Sequence, residues 1–429
     1  MDNIARVISP RVNEEYQKVV HPSGLTILLY PMKDFVSAYA ILATNYGSVD
    51  ETFKTGADRD FVSVPAGIAH FLEHKLFENE EGDAFARYAA TGASANAYTS
   101  FEKTAYLFSC TDNFAQSLDI LLDFVTRPYF TPETVNKEQG IIGQEIKMYQ
   151  DNPDWRVYFN LLESLYHNNP VRLDIAGTVE SIAQIDADLL YRCYSTFYNL
   201  GNMTLAVAGN FDPAVVLAAA DKHLKPAADP VEITRDTPDE PWEVREPLVV
   251  QNLPVAQPLF NLGFKGVAGG DERANLWGKI ADEILLDVIA GESSPLYRKL
   301  FDDGLINQSF EGEAMASRDY SLVFFGGESR DPEKVRDAIL AEVARLEAEG
   351  IPPETFDRVK KATYGRYIGM YGRPDALGGL LVTAHFADCD AYQPLEMLAA
   401  LTLDQLTVRL PLSFDPKRCA LSIVKSNGQ

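Results

Sequence analysis

Two of the six histidines in this 429-residue sequence, His70 and His74, stand four residues apart with Glu73 between them, in the stretch AHFLEHK. On an α-helix each residue turns about 100°, so with His70 at zero, His74 falls at about +40° and Glu73 at about -60°. The three project from one arc, while Ile68, Leu72 and Leu76 fall on the opposite side and can anchor the helix in a core. Two imidazoles one turn apart can share a single tetrahedral ion at about 2.0 to 2.1 Å per bond, a geometry that suits Zn²⁺. Glu73 sits too awkwardly to be a third ligand. It can instead reach a metal-bound water, whose pKa the ion lowers to about 7, and act as general base. The chemistry this spacing points to is hydrolysis.

A catalytic zinc needs one more protein ligand and an open position. The helix expected after Thr131, capped by that residue and with Pro132 in its first turn, offers Glu138 and Glu145. Seven residues apart, they share nearly one face but lie about 10 Å apart along the axis, so one ion cannot easily take both. Spacing does not choose between them, and the carboxylate left over can support a histidine from behind. A chance His-x-x-Glu-His in a chain this poor in histidine is expected on the order of once per hundred sequences, which favours metal binding over two incidental core histidines. His21, His167, His223 and His385 have no such partners and read as surface or core residues.

The elements that must position these residues are readable from pattern. Gly24–Tyr30 and Ser37–Ala43 read as strands, AGIAHFLEHKLF as a buried helix, and SANAYTSFEKTAYLFSC as a strand pair. A helical period runs from Asn113 to Phe124, a closing strand from Met203 to Ala208, and a helix from Pro213 to His223. Strands and helices that do not alternate strictly as βαβ units point to an α+β fold.

The chain is too long for one ordinary core. Residues 226–247, with five prolines and many acids, are expected to form an extended, solvated linker between an N-terminal domain, 1–225, and a C-terminal domain, 248–429. The halves resemble each other. FTPETVNKEQGIIGQEIKMYQ (130–150) aligns with IPPETFDRVKKATYGRYIGMY (351–371) at a separation of 221 residues, and HKLF (74–77) with RKLF (298–301) at 224. On that alignment His70, Glu73, His74 and Glu145 fall on Ser294, Tyr297, Arg298 and Arg366, so the second copy cannot rebuild the metal set.

A net charge of -24, with no basic stripe, opposes binding to nucleic acid or anionic membrane surfaces. No apolar run is long enough to cross a bilayer, the N-terminus lacks a secretory core, and four scattered cysteines read as reduced thiols. These features set the expectation of a cytoplasmic protein.

At the zinc helix, the NAYTS strand, the E-x6-E helix and VRLDIAGTVESI, the sequence resembles the pitrilysin/insulinase family of zinc metallopeptidases, the inverzincins, whose H-x-x-E-H inverts the commoner H-E-x-x-H. It is similar to the small bacterial members and to the mitochondrial processing peptidase. The resemblance implies two homologous α+β domains, each a mostly antiparallel sheet packed with helices, and one zinc per chain. It also implies that Glu145 is the third ligand and Glu138 its supporting neighbour. A strand like Ala95-Asn96-Ala97-Tyr98-Thr99 would bind an extended peptide by sheet addition. Family members often carry, in the second half near a Gly-Leu step, an Arg followed seven residues later by Tyr. Around Gly304-Leu305 this chain has Leu300 and Asn307 at those positions, with Arg298 displaced. That departure, set beside two-subunit relatives, leads to the expectation of a dimer: a homologous subunit completing the site, or a homodimer. A non-catalytic binding or scaffold subunit with the same fold, and a zinc hydrolase acting on a nonpeptide bond, are the competing classes.

Overall fold

A computed structural model of the protein describes residues 4–80, 82–226 and 231–427. The first half of the chain runs β1 (Ile4–Ser9), β2 (Glu14–Val20), β3 (Thr26–Pro31), β4 (Ala38–Thr44), α1 (Ile68–Leu76), β5 (Ser94–Thr99), β6 (Thr104–Cys110), α2 (Phe114–Thr126), α3 (Pro132–Gln150), α4 (Pro153–Leu165) and β7 (Met203–Gly209). The second runs β8 (Leu248–Asn252), β9 (Leu259–Lys265), α5 (Glu272–Ala290), α6 (Pro295–Asp302), β10 (Glu311–Ala316), β11 (Ser321–Glu328), α7 (Pro332–Glu349), α8 (Pro353–Met370), α9 (Pro374–Phe386) and β12 (Cys419–Lys425). Shorter strands and helices connect these. No described helix is long and apolar enough to cross a membrane.

Two α+β units result. Unit 1 gathers Met1–Ile146, Asp174–Asp236 and Ile368–Tyr392, and unit 2 gathers Lys147–Leu173, Thr237–Tyr367 and Gln393–Gln429. The sheet of unit 1 has the order β1-β2-β3-β7-β4-β6-β5, and that of unit 2 the order β8-β12-β9-β11-β10. The central strands β4 and β7 are apolar along their length because both their faces are covered, whereas β1 and β5 are the exposed edges. In both sheets the pairing along the five shared positions is parallel once and then antiparallel three times, β3-β7-β4-β6-β5 matching β8-β12-β9-β11-β10. The internal repeat of the sequence is therefore a repeat of topology.

The exchange of two segments between chain order and packing has a simple cause. Asn152 caps α4 by accepting from Asp154 N–H and Trp155 N–H, and the apolar face with Leu161, Leu162 and Leu165 is buried against β12 and β9 in unit 2. Reciprocally α9, from the second half, covers β7 and β4 in unit 1. An amphipathic helix states that one face must be buried, and any apolar sheet surface within reach satisfies it.

The connector 226–247 is extended and largely exposed where it is described, residues 227–230 lying outside the described residues, and it is anchored at a few points. Ile233–Arg235 pairs as a short strand with Thr52–Thr55, and Arg235 Nε lies 2.7 Å from buried Asp50 in unit 1. In unit 2, Glu240 accepts from Lys265 Nζ at 2.6 Å and from the backbone N–H groups of His167, Asn168 and Asn169. Glu240 thus finds its partners remote in sequence. One expectation from the sequence is corrected: in the alignment of HKLF with RKLF, the first ends α1 and the second lies in α6. It is α5, between β9 and β10 and packed on β10, that holds the place α1 holds between β4 and β5.

The start of α1 is fixed by a close approach of two loops. Gly67 (φ +90°) precedes the helix and Gly177 (φ +73°) lies in the IAGTVES stretch. A Cβ on Gly67 would sit 2.4 Å from Ala176 O, and one on Gly177 2.4 Å from Ala66 O. Ser181 Oγ donates to Ala66 O at 2.8 Å, so this stretch clamps the first turn of the helix that carries the histidines.

Candidate active site

In α1 the apolar back packs as its spacing requires, with Ile68, Leu72 and Leu76 almost wholly buried. The polar front is enclosed as well, His70 and Glu73 being only 9% and 8% exposed. In α3, Thr134 N–H donates to Thr131 Oγ1 at 3.2 Å, the cap expected from sequence. The helix buries Val135, Glu138, Ile142 and Ile146, a stripe at helical spacing that turns Glu138 and Glu145 towards α1.

The two helices bring three ligating groups together. One donor atom from each of His70, His74 and Glu145 lies within 4.8 Å of the others. His70 Nε2 is 3.8 Å from Glu145 Oε1 and His74 Nε2 is 3.5 Å from Glu145 Oε2. Glu138 Oε1 lies instead on the far side of the second ring, 3.2 Å from His74 Nδ1. Glu145 therefore faces the point that the two imidazoles share, and Glu138 lies behind a histidine.

The donor set fits a zinc ion: two imidazole nitrogens and one carboxylate. Burial, helped by the nearby His74 charge, holds the His70 pKa down to about 3, so this ring is neutral and its lone pair is available. Burial also works against a charge on His74, but its hydrogen bond to Glu138 and the charges of Glu73 and Glu145 outweigh it and raise its pKa. A cation entering the site would displace that proton. Burial raises the Glu73 pKa, opposed by a hydrogen bond from Thr99 and by His74. A raised carboxylate pKa suits a group that must both take and return a proton.

Ala95, Asn96, Ala97 and Tyr98 lie on β5, whose outer side is the free edge of the sheet. The Ala97 N–H turns to Asn96 Oδ1 at 2.9 Å. A cavity of about 500 Å³ opens beside this strand, lined by Glu73, His74, Phe77, Phe85, Asn96 and Ile141 among others. Two features were not read from sequence. Lys75, directly after the motif, is fully buried and pairs with Glu78 at 2.7 Å, and Thr99 bonds to Glu73 at 2.8 Å. A lysine next to a histidine carries no signal of burial, and a hydroxyl on a strand carries none of its partner.

At the equivalent place in unit 2 the chemistry is cancelled. Asp287 of α5 pairs with Arg366 of α8 at 2.8 Å, and Arg366 occupies the repeat position of Glu145. Leu300 is a core residue and Asn307 Nδ2 donates to Glu328 at 2.6 Å, so neither supplies the basic or phenolic group expected near Gly304-Leu305.

Comparison with known proteins places these observations. Residues 53–179 match the family model described as insulinase (peptidase family M16), and residues 184–363 that of the peptidase M16 inactive domain. The uncharacterized zinc protease YmfH of Bacillus subtilis is 38% identical over 408 residues, 93% of this chain and 95% of that protein. The crystal structure of an M16-like peptidase from Alicyclobacillus acidocaldarius superposes with a TM-score of 0.94 at 36% identity, covering 99% of this chain and 100% of the other. A protease from Helicobacter pylori, 20% identical, shares the fold with a TM-score of 0.81 over 96% of this chain and 99% of its own.

Proposed function

The chain belongs to the insulinase family of peptidases, M16, and on that premise we propose that it is a zinc-dependent metallopeptidase hydrolysing bonds in peptides or unfolded segments. The observation that carries this reading is the convergence of His70, His74 and Glu145 on one point, with the Glu73 carboxylate on the same helix face and a free sheet edge alongside. A zinc ion held by these three residues supplies Lewis acidity to a substrate carbonyl and lowers the pKa of a water to about 7. Glu73 takes a proton from the attacking water and returns it to the leaving amine. Glu138 orients the His74 ring through Nδ1. The main chain of Ala95 to Tyr98 pairs with the extended substrate, which holds any sequence in register.

The test joins metal analysis to mass spectrometry of the products from a peptide library. About one zinc per chain and internal cleavages are expected; zinc-loaded protein that leaves every peptide intact, alone and with a homologous chain, sinks the reading in favour of a scaffold. The same comparison examines the proposed dimer. The positions of Leu300 and Asn307 support a homologous partner that completes the carbonyl side of the site, and equal cleavage with and without such a chain removes the need for one. We also keep 226–247 as the junction between the duplicated halves, and a cytoplasmic location, which agrees with four free thiols, three of them buried.

The strand assignment has its own test. Proline at Ala97 deletes an N–H that turns to a neighbouring side chain, and an edge strand tolerates proline. Ala97→Pro is expected to raise KM about tenfold or more in a folded, zinc-loaded protein. An unchanged KM takes β5 out of the substrate site.

A further inference from the structure

Thr99 ends β5, directly opposite Thr104 of β6. Its hydroxyl donates to Glu73 Oε2 at 2.8 Å, joining the edge strand to the helix that carries the histidines. The wall behind it is buried and hydrogen-bonded. Thr104 Oγ1 donates to Tyr46 O at 3.0 Å and lies 3.5 Å from Thr99 Oγ1, and the fully buried hydroxyls of Tyr106 and Tyr198 meet at 2.8 Å. A threonine side chain has few χ1 choices in such a setting, so its hydroxyl is held in place before any substrate arrives.

Glu73 needs that support. Its carboxylate ends a flexible side chain, it is largely removed from water, and Thr99 is the side chain that donates a hydrogen bond to it among the described residues. Proton transfer in both directions requires the carboxylate to be held within roughly 0.5 Å and 10–20° of its working geometry.

We propose that Thr99 is a positioning residue for Glu73: its hydroxyl pins one carboxylate oxygen and so aims the other at the reacting water. The proposal rests on the reading of Glu73 as general base. It has a consequence for how the site is built, because β5 both offers its free edge to the peptide and, through Thr99, holds the base. Substrate register and base orientation are set by one element.

Two substitutions separate the hydroxyl from the shape. Thr99→Val keeps the outline and loses the donor; Thr99→Ser keeps the donor. Thr99→Val is expected to lower kcat by about 10- to 100-fold, with KM within about twofold and zinc content unchanged. Thr99→Ser is expected to recover kcat to within about threefold of the parent. Full activity in Thr99→Val, or a loss in Thr99→Ser as large as in Thr99→Val, overturns the proposal. Crystal structures of the zinc-loaded parent and both variants give a readout independent of turnover. Glu73 should keep one rotamer in the parent and in Thr99→Ser and leave it in Thr99→Val; an unmoved Glu73 in Thr99→Val overturns the proposal whatever the activity. Displacement of Glu73 in Thr99→Val, in a parent that cleaves nothing, upholds the positioning role and strikes the proposed function instead.

Discussion

Glu73→Gln is expected to lower kcat for peptide cleavage by about 10²- to 10⁴-fold while the protein keeps its fold and its zinc. The substitution changes little but the basicity. Glutamine has nearly the volume of glutamate, its amide oxygen can still accept from Thr99, and the three ligating residues are untouched. An amide cannot take a proton from water at neutral pH, so the loss should appear in kcat with KM close to that of the parent. The measurement is steady-state cleavage of a peptide identified from the library, with zinc content determined on the same samples. Parent-level activity in a fully zinc-loaded Glu73→Gln would mean that another group accepts the proton. The outcome also separates enzyme from scaffold, because a binding subunit has no activity for this substitution to remove.

Much of this site was legible because its signals are local. The arc of His70, Glu73 and His74, with Ile68, Leu72 and Leu76 behind, is a property of nine residues, and α1 spans those nine, Ile68–Leu76. The cap at Thr131 and the strand pair β5 and β6 are local in the same sense. What stayed hidden depends on partners distant in sequence. The face of α4 announces burial but not the sheet that receives it, and so the exchange of α4 and α9 could not be read from either helix. The connector is largely exposed, as its proline and acid composition implies, but its anchor points are distant in sequence, Glu240 reaching Lys265 and the backbone of His167 to Asn169. The short identity HKLF/RKLF misled because four residues recur in helices of different topological position, whereas Glu145 and Arg366 were matched on a longer stretch whose two copies are both long helices, α3 and α8.

That match sets the two halves of the duplicated fold apart. In unit 1 the facing positions of α1 and α3 gather His70, His74 and Glu145 around a common point, a donor set that fits a cation. In unit 2 the facing positions of α5 and α8 carry Asp287 and Arg366, which resolve each other. Facing helices serve both units, presenting three donor groups in one and an ion pair in the other.

The second large effect follows from the different places of the two glutamates on α3. Glu145→Gln is expected to yield protein with less than about a tenth of a zinc per chain after dialysis against a weak chelator, because an amide oxygen is a far poorer zinc ligand than a carboxylate. Glu138→Gln should keep its zinc under the same conditions and lose about 10- to 100-fold in affinity or activity, the usual cost of removing the group behind a ligating histidine. The distinction rests on ring geometry. His74 presents Nε2 towards Glu145 and Nδ1 towards Glu138, so a single ion at Nε2 can meet the first carboxylate and not the second. Circular dichroism and thermal denaturation of the metal-free forms keep a folding defect from passing as a binding defect, and competition with a chromogenic chelator gives the affinities. If Glu138→Gln strips the zinc and Glu145→Gln retains it, the ligand assignment is reversed, and α3 would have to sit rotated from the position in which Glu145 spans both imidazoles.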